Sequence, residues 1–315
     1  MIKKNILITG GSGLLALNWA ATIRDTWNVT LATHRRGVQL AGVNSCVLEL
    51  DDPSRLAGQI EQLAPDIVVH TAGLTSVDQC ERFPKHAHHA NAQIAMHVAK
   101  AVAMFGASLI HISTDHLFAG VHSLYQESEQ TQPLNEYGRT KALAESWVQE
   151  AHPSALLIRT NFFGWGHAYR QSFSDWIIDN LRANKRLRLF DNVFFTPILA
   201  DAVALNAHAM IEKGASGIYH LVGDERLSKY DFALKLAAHF DLSQELIDRN
   251  RLVSDALLAK RPLDMSLDNS KARLLLGRGF GVVDGFLEGL RSQELQGRKL
   301  ELHSAVKQRI ELIAS

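Results

Sequence analysis

Short runs of β-branched and aliphatic residues alternate along this chain with longer stretches in which apolar positions recur every three to four residues. The first run, Asn5-Ile6-Leu7-Ile8-Thr9, predicts a strand, and residues 14–24 after it predict a helix. The same alternation predicts strands at 29–33, 45–50, 67–71, 108–113 and 155–160, with helices at 53–63, 84–105 and 137–151. Strands that are apolar at nearly every position are buried on both faces, and helices between them supply the cover. The expected fold is therefore α/β, a Rossmann-type doubly wound parallel sheet. Beyond Gly164 the pattern loosens into a helix at 173–183, a short return at 194–209, a strand at 218–222 and a helix opened by Ser228 with Asp231 three residues on. This divides the chain into a larger domain, 1–163 with 192–210 returning to it, and a smaller one, 164–191 with 211–315. The tail at 285–315 reads as helical and amphipathic, and no internal repeat is present.

Composition narrows the function. The chain has 315 residues, 46% of them hydrophobic, enough for a large core. Its 33 basic residues balance 33 acidic ones, so it lacks the electrostatic footprint of a nucleic-acid or membrane-surface binder. No apolar run is long enough to span a bilayer. Only Cys46 and Cys80 occur, and the start MIKKNILITG enters a glycine loop without a signal-peptide pattern, so a reducing, cytoplasmic setting is expected.

The glycine loop reads Thr9-Gly10-Gly11-Ser12-Gly13-Leu14-Leu15-Ala16, directly after a predicted strand and opening a predicted helix. Gly10 permits a tight turn, and Gly13 lets the backbone approach a pyrophosphate at the positive helix end. The small Ala16 allows close packing on the sheet. Gly10, Ser12, Gly13, Leu14 and Leu15 are accordingly expected to bind a dinucleotide. The second strand ends in Thr33-His34-Arg35-Arg36, where an NAD-selective site would place a carboxylate. Guanidiniums at Arg35 and Arg36 suit a 2′-phosphate, which favours NADP(H) and leaves NAD(H) open. Asp51, with Asp52, is a candidate for the adenine environment or for a helix cap before Pro53.

A second cluster is Tyr137-Gly138-Arg139-Thr140-Lys141. Tyrosine and lysine four residues apart share a helix face, so an ammonium can lie near a phenol and favour its ionised form. Together with Thr71-Ala72-Gly73, Val77-Asp78, Cys80-Glu81, Ser113-Thr114-Asp115 with Phe118, Pro133-Leu134-Asn135, Arg261-Pro262 and Ser266-Leu267, it resembles the extended short-chain dehydrogenase/reductases that act on nucleotide sugars. Within them it resembles the dTDP-4-dehydrorhamnose reductases, over roughly residues 2–280. The resemblance implies reduction by NADPH of the 4-keto group of a nucleotide-activated deoxysugar. It implies that the larger domain holds the cofactor and the smaller one the substrate, with Thr114, Tyr137 and Lys141 as the catalytic set. Tyr137 would protonate the carbonyl oxygen, Thr114 would hold it, and Lys141 would bind ribose hydroxyls and lower the tyrosine pKa. Thr71, Ala72, Gly73 and Asn161 would line the nicotinamide half of the site.

Sugar-nucleotide dehydratases resembling this family place an acid after Thr-Asp, whereas this chain reads Thr114-Asp115-His116, which disfavours dehydration. His116 stands where the reductases usually have Tyr, and Phe194-Phe195-Thr196-Pro197 replaces a Gly-x-Pro-Thr element. Asp115 and His116 are placed with the substrate. Arg261 is the candidate for its diphosphate, and Trp165 and Phe173 are candidates for the sugar or base pocket, with core packing the competing role. His86, His88, His89 and His97 do not amount to a metal site, because structural zinc needs four converging ligands. The helices at 90–105 and 138–150 correspond to those that pair family members, which raises a homodimer. Two other readings stay open: a dinucleotide-binding regulatory subunit without activity, and an NAD-dependent epimerase.

Overall fold

A computed structural model of the chain describes residues 3–34, 36–253 and 257–309. Its centre is a seven-stranded parallel sheet. In spatial order the strands are Gly217–His220, Leu156–Arg159, Ser108–Ile112, Ile67–His70, Asn5–Thr9, Asn28–Thr33 and Asn44–Val47. Strand order reverses at Asn5–Thr9, which pairs with Asn28–Thr33 on one side and Ile67–His70 on the other. Loops leaving the carboxyl ends diverge at such a point and open a crevice.

The pleat sorts the apolar runs onto two faces. Ile6, Ile8, Ile67, Val69, Ile110 and Ile158 join one core with helices Leu14–Ile23 and Ala200–Glu212. Leu7, Val68, Leu109 and Leu157 join the other with helices Pro53–Leu63, Ile94–Phe105 and Glu136–Ala151. Each such side chain contributes about 1.5–3 kcal/mol on burial, so the sheet is a rigid platform. Helix starts are fixed locally: Asp52 accepts from the backbone N–H of Ser54 and Arg55 at 3.0 and 3.1 Å, and Asn135 accepts from Gly138 at 2.9 Å. Ser228 caps helix Lys229–His239 by accepting from the Asp231 N–H at 3.0 Å. Over the carboxyl ends of the strands lie Phe194–Phe195, paired antiparallel with Leu227–Ser228, and helices Phe173–Arg182, Lys229–His239 and Val283–Leu295.

The structure differs from expectation at four places. The apolar stretch 84–105 is two α-helices, Pro84–His88 and Ile94–Phe105, joined by a π-helical turn at His89–Gln93. The wider turn turns the buried Asn91 toward Leu74, where its Oδ1 accepts from the Leu74 N–H at 2.7 Å and its Nδ2 donates to Thr140 Oγ1 at 3.0 Å. Strand Gly217–His220, expected in the smaller domain, instead pairs with Leu156–Arg159 as the edge of the main sheet. Helix Ala200–Glu212 packs on Leu14–Ile23 and carries the chain back to that edge. A short helix, Val77–Arg82, had no strong pattern of its own and is capped by Ser76. The tail is not helical throughout. Gly297 adopts φ of +84° and separates helix Val283–Leu295 from Arg298–Ala305, and strand Val306–Arg309 then pairs antiparallel with Arg36–Val38.

Candidate active site

The glycine loop is shaped by close approach. Gly10 has φ of +68°, and a Cβ there would lie 2.8 Å from the Ala72 nitrogen; one on Gly11 would lie 2.8 Å from Leu31 Cβ. Gly13 donates to the Gly10 carbonyl at 2.7 Å and stands as the N-cap of helix Leu14–Ile23 with no side chain to cap it. The first N–H groups of that helix have no intrahelical partner and present a cradle for an anion. Ser12 and Leu14 are half-buried beside it, whereas the Leu15 side chain is turned into the core, so Leu15 offers only its backbone. Opposite, Thr71 donates from Oγ1 to the Thr9 carbonyl at 2.7 Å, and Ala72 and Gly73 continue the wall. Gly73 has no room for a Cβ, which would stand 2.8 Å from Asn91 Oδ1.

Arg36 opens the short strand Arg36–Val38 with its guanidinium 4.3 Å from the centre of the Tyr169 ring. Arg35 lies outside the described residues. Asp51 is exposed and bonded to His89 Nε2 at 2.7 Å, while its neighbour Asp52 is the helix cap.

The catalytic candidates converge. A Cβ on Gly138 would collide with the His116 carbonyl, so glycine at this position brings helix Glu136–Ala151 against the 114–116 turn. Tyr137 there hydrogen-bonds the Thr114 side chain and meets the His116 ring edge-on, with ring centres 5.7 Å apart. Burial pushes the Tyr137 phenol up to about 12, with Thr114 opposing and Asp115 adding to the rise. This corrects the expectation that Lys141 lowers it. The Lys141 ammonium instead donates to the Ile112 carbonyl at 2.7 Å and stands 3.4 Å from His111 Nε2. Burial brings Lys141 itself down to about 8. A phenol kept protonated at neutral pH is suited to give a proton rather than take one.

Substrate candidates separate into those at the pocket and one in the core. Asp115 is buried, accepting from Asn161 Nδ2 and from Thr114 Oγ1, the latter at 3.2 Å. The His116 ring is held neutral by burial and by the nearby cations Lys229 and Arg261, against the pull of Asp115; its Nδ1 is buried without a hydrogen bond. Arg261 pairs with Asp78 at 3.0 Å, and Asn135 Nδ2 ties the same loop to the catalytic helix through the Lys260 carbonyl at 2.8 Å. Phe173 is half-buried, stacked on Phe232 with ring centres 5.7 Å apart. Trp165 is 0% exposed, among core residues with Phe240 against its ring, so as a pocket residue it is corrected: its side chain packs.

Several site residues escaped the sequence pattern. Lys229, at the first position of helix Lys229–His239, lies with its ammonium 3.3 Å from the Phe195 ring centre and 5.0 Å from that of Phe173, facing Asp115. Burial draws it down to about 8. Beneath the glycine loop His70 and His111 stack at 5.4 Å, and Thr9 Oγ1 meets His70 Nδ1 at 2.8 Å. Burial, and then the Lys141 ammonium, holds both imidazoles neutral, His70 at about 3. The one available signal was polarity inside apolar runs, at His70 and His111. For Lys229 the only signal was its place beside the Ser228 cap and the Phe195 departure. No group among the described residues has the acid, imidazole and thiol clustering of a metal site.

Set beside known proteins, residues 4–280 match the family described as RmlD substrate binding domain. The dTDP-4-dehydrorhamnose reductase of Salmonella typhimurium is 29% identical over 237 residues, covering 73% of this chain and 76% of that protein. The methionine adenosyltransferase 2 subunit beta of Mus musculus is 28% identical over 296 residues, covering 92% and 86%. In fold, the crystal structure of dTDP-4-dehydrorhamnose reductase from Bacillus anthracis in complex with NADP superposes with a TM-score of 0.82 at 22% identity, covering 93% of this chain and all of that one.

Proposed function

This chain belongs to the RmlD substrate binding domain family, and from that premise we propose that it is an NADPH-dependent reductase of the 4-keto group of a nucleotide-activated deoxysugar. The observation that carries the reading is the convergence of Thr114 and a protonated Tyr137 at the carboxyl ends of the strands, one wall away from a glycine-lined helix start that no side chain caps. The residues present fit a dinucleotide: uncapped helix N–H groups, three close-approach glycines and a cation at Arg36 in place of a carboxylate. The reduced nicotinamide supplies a hydride when bound. Tyr137 donates its proton to the oxygen on which charge develops, and Thr114 donates a hydrogen bond to the same oxygen. Lys141, anchored on Ile112, holds positive charge beneath the site and offers its remaining N–H groups to ribose hydroxyls. Asp115, His116 and Lys229 face the sugar, and Arg261 its diphosphate.

The likeness to methionine adenosyltransferase 2 subunit beta favours a second reading, a dinucleotide-binding subunit without turnover. The two are separated by NADPH oxidation measured against a panel of nucleotide-linked 4-keto sugars. Turnover of one member supports the reductase; binding of NADPH with turnover of none supports the subunit. We place the protein in the cytoplasm, consistent with the free thiols Cys46 and Cys80. No helix among the described residues is long and apolar enough to cross a membrane. Pairing of two copies through helices Ile94–Phe105 and Glu136–Ala151, where Met104 is 71% exposed, is testable by light scattering.

A further inference from the structure

Basic groups from three separate segments meet beside the glycine loop with no carboxylate among them. Residues 167–170 form a tight hairpin, the His167 and Arg170 backbones exchanging hydrogen bonds of 3.0 and 2.9 Å. Arg170 reaches from it across the crevice to Thr75 Oγ1 and is close enough to act on the Tyr137 phenol. Tyr169 lies under the Arg36 guanidinium at 4.3 Å. His167 is only 4% exposed, rests against the Ser12 backbone, and is surrounded by Arg36, Arg170 and His303. Its Nε2 is buried without a hydrogen bond of good geometry. Among the described residues neither Arg36 nor Arg170 pairs with an acid.

The cluster is tied down by the end of the chain. The Ala168 N–H donates to the His303 carbonyl at 3.3 Å, the Gln39 N–H donates to Ala305 at 2.8 Å, and Val306–Arg309 pairs with the strand that carries Arg36. Arg24 fixes helix Arg298–Ala305 from below through a bidentate pair with Glu301. This strap lies outside the family match, which ends at residue 280.

Gathering like charges around a buried imidazole is unfavourable unless an anion is to be held there, and the adjacent helix terminus has the same polarity. We propose that the 167–170 hairpin, strapped by the C-terminal helix and strand, is the outer wall of a dinucleotide phosphate site, in which Arg170 grips the bridging diphosphate while His167 and Arg36 grip the 2′-phosphate of NADP(H). The inference rests on the reading that this chain binds NADP(H). It makes the tail a determinant of cofactor choice.

The test is titration calorimetry of the full chain and its variants with NADPH and with NADH, which needs no turnover. Arg170→Ala, at an exposed position, should weaken both dinucleotides by about ten-fold, the loss expected for one charge-assisted contact, and leave their ratio unchanged. A chain ending at Gly297 should lose about ten-fold more NADPH affinity than NADH affinity, because Arg36 and His167 lose their support, while loosening of the hairpin that carries Arg170 costs both dinucleotides alike. Melting curves establish that each variant folds; should the shortened chain not fold, Arg170→Ala and His167→Gln carry the test. Unchanged affinities in Arg170→Ala, or a folded shortened chain that keeps the parent preference, would overturn the proposal. A parent that binds NADPH but reduces no keto sugar refutes the reductase and leaves this wall standing; a parent that binds neither dinucleotide removes both.

Discussion

The crevice has two walls made in different ways. The glycine wall, Gly10 to Gly13 against Ala72 and Gly73, is built from close steric approach, with Gly10 and Gly11 specified by the ends of the two adjacent strands and only Gly73 by a more distant side chain, Asn91. The opposite wall of Asp115, His116, Tyr137, Lys229 and Phe195 is built from charges and rings delivered by four segments spread over more than a hundred residues. Shape can be specified locally, but an electrostatic environment cannot, because it depends on what is excluded from it as much as on what is present. On the function proposed above, the glycine wall is the generic half of the site, and the charged wall is the half that would set the chemistry and the substrate.

The sharpest break of that contrast is Tyr137→Phe. It removes a hydroxyl from the charged wall and nothing from the glycine wall, so turnover should fall about a hundred- to ten-thousand-fold, the effect of losing a positioned general acid, while NADPH affinity stays within about two-fold. A variant retaining full kcat would sink the assignment of Tyr137 as proton donor.

Acid attacks the glycine wall from beneath. Burial lowers His70 and, at the far edge of the sheet, His220 to about 3, so the unfolded chain binds protons that the folded one refuses. Stability from these groups is present above the unfolded value near 6.5 and is lost as pH falls from there toward about 3, on the order of 2 kcal/mol each by pH 5. Urea midpoints measured from pH 7.5 to pH 5 check this, and His70→Asn should flatten the slope. A midpoint independent of pH over that range contradicts the buried neutral imidazoles.

Gly10→Ala tests sterics alone. With φ of +68° and the Ala72 backbone 2.8 Å from the new Cβ, the variant should lose about 1–3 kcal/mol of stability and most of its dinucleotide affinity. Thermal melting with and without NADPH measures both; equal melting points would mean that the loop gives way without cost.

The smallest expected effect is also the most specific. Lys229→Met keeps the stem against Phe195 and removes the ammonium, so KM for the keto sugar should rise about ten-fold with NADPH affinity unchanged. Because Lys229 sits at about 8, the parent's KM should itself rise as pH passes that value, and the variant's should not. If KM responds to pH identically in both, Lys229 does not touch the substrate.

The local signals were legible. Short continuous apolar runs and period-3.6 patterns placed the strands and helices of the main sheet within a few residues, because a strand buried on both faces and a helix buried on one each carry that burial in their own sequence. Asp52 and Ser228 marked helix starts through bonds closed within three residues. The glycine loop and the Tyr-x-x-x-Lys spacing were visible for the same reason. The π turn at His89–Gln93 was hidden because its cause, Asn91 bonding Leu74 and Thr140, spans 17 and 49 residues.

The sequence by itself determined the parallel sheet, the glycine turn and the Tyr-Lys helix face, since these follow from burial, φ and helical spacing over a few residues, and it singled out Thr114 only through the family resemblance. Only the tertiary structure decided the state of those groups. It raised the Tyr137 phenol by enclosing it, turned Lys141 onto Ile112 and His111, brought Lys229 over Phe195 opposite Asp115, and folded the tail back as a strand on Arg36–Val38. The physical reason is that dielectric and field at a point are sums over everything packed around it, and no stretch of chain carries that sum in its own order.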